Sequence, residues 1–199
     1  NLTVFPVTLE KPSGPEYIAS AIAIEQHGLR VTEMGEDGSV PNLLVENPAA
    51  YCVLLLDGEE LRGAKQNRII NTTLLLAPRS KTVINVSCTE SGRWSYNSPE
   101  FSHSKTVMPA KLRRKKTRSV SQTLESVKEF HSNQGEVWDE VQELHCKMGI
   151  DSPTSAMSDA YENMRMDLKR AMDQMPAQNH QCGLISFINH KPAGLALLS

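Results

Sequence analysis

The chain has 199 residues, 22% of them charged, and a formal net charge of −2 at pH 7. That length suits one medium domain or two small ones with a real core, and the near-balance of charge excludes a protein that coats nucleic acid over its whole surface, while leaving local patches open. No apolar run approaches the roughly 18 to 20 residues that span a bilayer, and the N-terminus has no basic stretch followed by an apolar signal core, so a cytoplasmic protein with no membrane partner is expected.

In chain order, Leu2 to Leu9 sets apolar residues at Leu2, Val4, Val7 and Leu9 with Pro6 interrupting, the pattern of an edge or bulged strand. A loop with two prolines and a glycine runs from Glu10 to Pro15. Ile18, Ala21, Ile22 and Glu25 then show helical spacing that Gly28 stops. Leu29 to Met34 reads as a short strand and Gly35 to Gly38 as a turn. Asn42 to Glu46 and Tyr51 to Leu56 are two apolar runs around Asn47-Pro48-Ala49-Ala50, which predicts a hairpin with a buried second strand.

Beyond Trp94, a polar stretch leads to Lys105–Arg118, where Lys105, Lys111, Arg113, Arg114, Lys115, Lys116 and Arg118 meet no acidic residue. Such a run is a solvated loop or helix face, or else a phosphate-binding patch. Val120, Leu124, Val127 and Phe130 suit a helix laid on the sheet. A second helix has Asn133 as cap, Glu136 three residues on and Gly149 as stop, with Val137, Val141, Leu144 and Met148 as its stripe and Trp138 beside it. Gln134 to Trp138 occupies its first turn, whose N–H groups attract anions; Glu136 opposes that, and as plain structure the turn is a capping box. Ser152-Pro153 opens a third helix whose face of Ala156, Ala160, Met164, Leu168, Ala171 and Met175 runs to Pro176, the methionines serving as core.

Residues 183–198 are two apolar runs around Asn189-His190-Lys191-Pro192, a hairpin returning to a sheet. The chain stops straight after the second run, as a trimmed chain or a shorter member of a longer family does. The expected fold class is α+β: a largely antiparallel sheet or sandwich over 1–96, a basic connector over 97–118, a three-helix segment over 119–176 and a C-terminal β-hairpin, all in one domain.

The chemistry concentrates between Tyr51 and Tyr96. Asp57-Gly58 signals a tight turn, which sets Glu59 and Glu60 just past the end of a buried strand. Gly63-Ala64 allows close backbone approach, and Lys65, Gln66, Asn67 and Arg68 supply donors for phosphate, carboxylate or a base edge. Ser87 to Trp94 is a second polar strand end, with Glu90 and Arg93. If the two strands are neighbours, Glu59 or Glu60, Arg68, Glu90 and Arg93 converge on one edge as a ligand site, or as a structural ion-pair network. Neither a P-loop nor a G-x-G-x-x-G pattern occurs. Paired glutamates suit Mg²⁺ carried with substrate phosphates, and no other cofactor is indicated. Cys52, Cys88, Cys146 and Cys182 form no C-x-x-C pair and read as reduced thiols, Cys88 as a buried small hydrophobe with no histidine fixed beside it.

Leu54 to Arg68, Val86 to Tyr96 and Ser132 to Asp139 together resemble motifs of the bacterial family named for its association with ADP-ribosylglycohydrolases and rhodanese-phosphatases. The resemblance runs over nearly the whole chain, and the name implies a link to ADP-ribose or NAD-derived nucleotides by association. Three functions are therefore weighed. The first is a nucleotide-related ligand site or hydrolase: Lys65, Arg68 and Arg93 hold phosphate, Glu59, Glu60 or Glu90 act on metal, ribose or water, and Gln66, Asn67, Trp94, Gln134, Glu136 and Trp138 complete the site. The second is a non-catalytic scaffold or interaction protein. The third is a nucleic-acid accessory protein using the basic segment 105–118.

Overall fold

A computed structural model of the chain describes residues 1–11, 14–35 and 39–198. Most of the turn expected at Gly35 to Gly38, and part of the loop from Glu10 to Pro15, lie outside the described residues. The first half carries β1 (Leu2–Thr8), β2 (Tyr17–Ala19), α1 (Ser20–Gln26), β3 (Arg30–Glu33), β4 (Asn42–Asn47), β5 (Cys52–Leu55), β6 (Glu59–Gly63), β7 (Arg68–Ile70), β8 (Leu74–Leu76) and β9 (Ser80–Cys88). The second half carries β10 (Phe101–Val107), α2 (Ala110–Val127), α3 (Gln134–Met148), α4 (Met157–Asn163), α5 (Arg165–Asp173), β11 (Gln181–Ile188) and β12 (Lys191–Leu197). The class is α+β, with mainly antiparallel sheets in the N-terminal half and a closing β-hairpin.

The chain divides into two compact units, Glu16–Asn163 and a smaller one of Asn1–Pro15 with Met164–Ser199. In the larger unit a six-stranded sheet runs β10-β6-β7-β9-β4-β3, and a three-stranded sheet runs β2-β5-β8 with only β2 and β5 parallel. Strand alternation sorts the side chains of the larger sheet. Ile70, Val86 and Leu61 join one core with Val53 and Leu55 of the small sheet, whereas Ile69 faces Met108, Leu112, Val137, Val141 and Met157 of the helical side. Sheet, sheet and helices thus share two cores across one six-stranded partition.

Three expectations change. Asn42–Glu46 and Tyr51–Leu56 are strands but not a hairpin: β4 pairs with β3 and β9, and β5 with β2 and β8. Between them the Asn47 amide takes the carbonyls of Tyr51 and Ala77 at 3.0 and 2.8 Å and accepts from Ala49 N at 3.1 Å, so the connecting turn closes on a side chain and the strands part into two sheets. The basic run is not a connector, since β10 ends at Val107 and α2 starts at Ala110, ten residues before the expected apolar spacing. The third helix begins at Met157, because Ser152 Oγ accepts from Ala156 N at 3.0 Å as a cap, and it breaks at Met164 into α4 and α5. Met157 is core, but Met164 and Met175 of the expected face are each 41% exposed, so those methionines are not core packing.

The smaller unit holds the sheet β1-β11-β12, antiparallel throughout, with β1 on an edge and a register shift at Val7/Thr8. Phe5 meets Phe187 edge-on at 5.8 Å. Asn189 and His190 both take positive φ, the conformation that a two-residue hairpin turn demands.

Candidate functional site

Glu59 and Glu60 are neighbours on β6, not residues of a solvated turn, and a strand points neighbours to opposite faces. Glu59 Oε2 accepts from Ser20 Oγ at 2.6 Å and from Leu56 N at 3.0 Å, while its Oε1 lies 3.7 Å from His103 Nε2. Glu60, fully buried, accepts from Thr89 Oγ1 at 2.9 Å and Thr106 Oγ1 at 3.1 Å. The pairing expected for Mg²⁺ is therefore not formed. Among the described residues no cluster of three or more His, Cys, Asp or Glu is arranged to hold a metal ion.

Burial pushes the Glu60 carboxyl above its ordinary 4.5, against the pull of the two threonine hydroxyls. The folded protein then keeps a proton that the unfolded chain has lost, so this group's contribution is full below pH 4.5 and declines as pH rises toward the folded value. Glu60→Gln is accordingly expected to raise the urea midpoint at pH 8, with the gain vanishing toward pH 4.5. A midpoint lowered equally at both pH values would contradict this.

Glu90 lies past the end of β9, bridged to Ala156, and is the partner of Arg93. Arg93 Nε and Nη2 donate to its two oxygens at 3.0 and 2.6 Å, and Asn67 N donates to Oε2 at 3.1 Å. Burial raises the Glu90 pKa, but the hydrogen bonds from Arg93, Thr154 and Asn67 outweigh it and hold the group below the usual carboxylate value. Arg93 Nη1 further binds the carbonyls of Ala64 at 2.6 Å and Ser95 at 2.9 Å. The Asn67 carbonyl oxygen of the amide accepts from Gly63 N at 3.3 Å and from Arg93 Nη2 at 3.3 Å. The two strand-end clusters thus meet, and here they meet as a clamp whose donors and acceptors satisfy one another.

Arg68 belongs to the sandwich face, opposite Cys88 in the β7–β9 ladder. Its Nη1 donates to Gln66 Oε1 and to Cys88 Sγ, both at 2.9 Å, and its Nη2 lies 3.6 Å from Glu33 Oε1. Burial lifts the Cys88 thiol to about 11, which keeps it protonated at neutral pH and unsuited to nucleophilic attack. Gln134 completes the β9 ladder from α3, accepting from Cys88 N at 2.7 Å and donating to Cys88 O at 2.9 Å. Glu136 is exposed and accepts from the Asn133 amide at 3.3 Å within the helix cap. Trp138 is half-buried, its Nε1 sealed without a hydrogen-bond partner among the described residues.

What remains open to solvent is a small aromatic and cationic surface. Lys65 Nζ lies 5.4 Å from the Trp94 ring centre and 5.1 Å from that of Tyr96, both rings being about half exposed. The Arg68 guanidinium carbon lies 5.7 Å from the same Trp94 ring. Beside them Tyr96, Asn97, Ser98 and Pro99 line a shallow hollow open to solvent. Ala64 anchors this segment, donating to Ser98 Oγ at 3.1 Å and accepting from Asn97 N at 2.9 Å. Sequence reasoning missed Tyr96, although a Trp-x-Tyr spacing in extended chain puts both rings on one side. It also missed Glu33, for which no local pattern exists.

Much of the basic run is paired within the chain, with Lys116 buried and the others at the surface. Lys116, 1% exposed by side chain, pairs with Asp57 and donates to Ile70 O at 3.2 Å and Asn71 O at 2.7 Å. Arg113 Nε also binds Asp57, at 2.9 Å, and Lys111 and Lys115 pair with Glu140 of α3. Arg114 and Arg118 are the exposed cations of α2 without a described partner.

A family model described as the ARG and Rhodanese-Phosphatase-superfamily-associated Protein domain matches residues 1–199. No curated protein and no solved structure matches the chain. The chain belongs to that family, as its three motifs imply. No described helix is long and apolar enough to cross a membrane.

Proposed function

We propose that the chain binds an ADP-ribose- or NAD-related nucleotide at the Lys65, Trp94 and Tyr96 surface, as a binding protein rather than a hydrolase. The observation that carries the proposal is the pair of half-exposed rings flanking one ammonium beside a shallow hollow. A nucleotide has two faces that such a surface fits: an aromatic base that stacks on Trp94 or Tyr96, and phosphate oxygens that draw Lys65 out of its place between them. The family's association supports the nucleotide class. Glu59, Glu60 and Glu90 each serve buried hydrogen bonds within the chain, which favours binding over turnover.

Thermal shift against ADP-ribose, NAD and AMP, with and without Mg²⁺, tests the proposal. A ligand at about 100 times its Kd stabilises by roughly 2.7 kcal/mol. Trp94→Ala with Tyr96→Ala is expected to remove the response while leaving the far-UV spectrum unchanged. Silence of the wild type across the panel overturns the reading and leaves the scaffold function standing.

A further inference from the structure

We infer that Glu33 and Arg68 read the polar edge of the bound ring, and that this edge carries a donor beside an acceptor. The inference rests on the nucleotide reading above. Arg68 is wholly buried and the Glu33 side chain is 3% exposed. Nη1 of Arg68 is engaged by Gln66 and Cys88, but Nε and Nη2, the two N–H groups that form the guanidinium fork, make no hydrogen bond among the described residues. Neither oxygen of Glu33 makes one either. Their 3.6 Å separation is an ion pair by distance, yet it is longer than a hydrogen bond. Buried polar groups are almost always matched, so two carboxylate oxygens and two guanidinium N–H groups that no hydrogen bond satisfies among the described residues call for a third group.

The charges decide the class of that group. A bare anion on the fork is repelled by Glu33, and a bare cation on Glu33 is repelled by Arg68. A neutral edge that donates to the carboxylate and accepts from the guanidinium satisfies both. Trp94, half-exposed with its ring centre 5.7 Å from the guanidinium carbon, is the side chain whose turning admits such an edge, and Tyr96 is then the ring on which the ligand stacks. Two parts of the proposed ligands carry a donor beside an acceptor: the carboxamide of nicotinamide, and the 6-amino group with N1 of adenine.

Titration calorimetry with paired ligands separates these sources. NAD is compared with its nicotinic acid counterpart, in which a carboxylate replaces the carboxamide, and AMP with purine ribonucleotide, which lacks the 6-amino group. At least tenfold weaker binding of the altered member of one pair is expected, and which pair responds names the source. Glu33→Gln is expected to shrink the discrimination; should that variant fail to fold, the wild-type comparison decides alone. Equal affinities within twofold in both pairs overturn the inference while the nucleotide reading survives. Absence of binding by all four ligands, and by ADP-ribose, overturns both.

Discussion

Replacing Arg93 by methionine is expected to destabilise the protein by about 3 to 5 kcal/mol, the cost of leaving a buried carboxylate without its cation. Glu90 is 4% exposed, and once the guanidinium is gone its remaining bonds do not match what Arg93 supplies through Nε and Nη2. The Ser95 carbonyl loses its donor in the same step, and that of Ala64 keeps only Asn97 N. Because Glu90 is held below its usual pKa, its contribution is present above pH 4.5 and lost as pH falls through the folded value. The difference between wild type and Arg93→Met in urea denaturation should therefore narrow in acid. Lys65→Met, which leaves the clamp intact, is expected to cost under about 1 kcal/mol while weakening ligand binding. If Arg93→Met were as mild as Lys65→Met, Arg93 would be a ligand group and not a clamp.

Lys116→Met carries a cost of similar size, about 3 to 5 kcal/mol and roughly 10 °C in Tm. Burial holds the Lys116 pKa below its ordinary value, with Asp57 pulling the other way, so the pair is not a large net source of stability. Its removal is nonetheless expensive: the ammonium's donors go to Asp57, Ile70 O and Asn71 O, and the methyl group offers those acceptors nothing. Arg113→Ala, at a residue whose side chain is 42% exposed on the same aspartate, is the control and is expected to cost about 0 to 1 kcal/mol. Equal, small effects at both positions in thermal denaturation would show that α2 is not fastened to the β7–β8 turn through Lys116.

The elements with a local cause were legible in the chain. The cap at Asn133 with Gly149 as stop, the closing hairpin about Asn189-His190 and the edge strand carrying Pro6 each follow from side chains within a few positions of one another. The convergence of Asp57–Arg68 with Ser87–Trp94 was conditional on the strands before them being neighbours; β5 and β9 are not, and the two stretches meet through β7 instead.

What sequence spacing did not contain was partnership across the chain. Asn42–Glu46 and Tyr51–Leu56 have the same apolar pattern whether they pair with each other or enter two sheets, because burial on a face is all that periodicity records. Seven cations within fourteen residues look like a phosphate patch until Asp57 and Glu140, distant in sequence, pair with four of them. Glu59 and Glu60 look like a metal pair until the strand they lie on turns them to opposite faces. The sequence by itself determined the class, the local caps and turns, and the stretch that holds the polar residues. Only the tertiary structure decided which charges are spent in pairs and which surface is left for a ligand, since a charge is neutralised by whatever lies within a few ångströms and not by its neighbours in the chain.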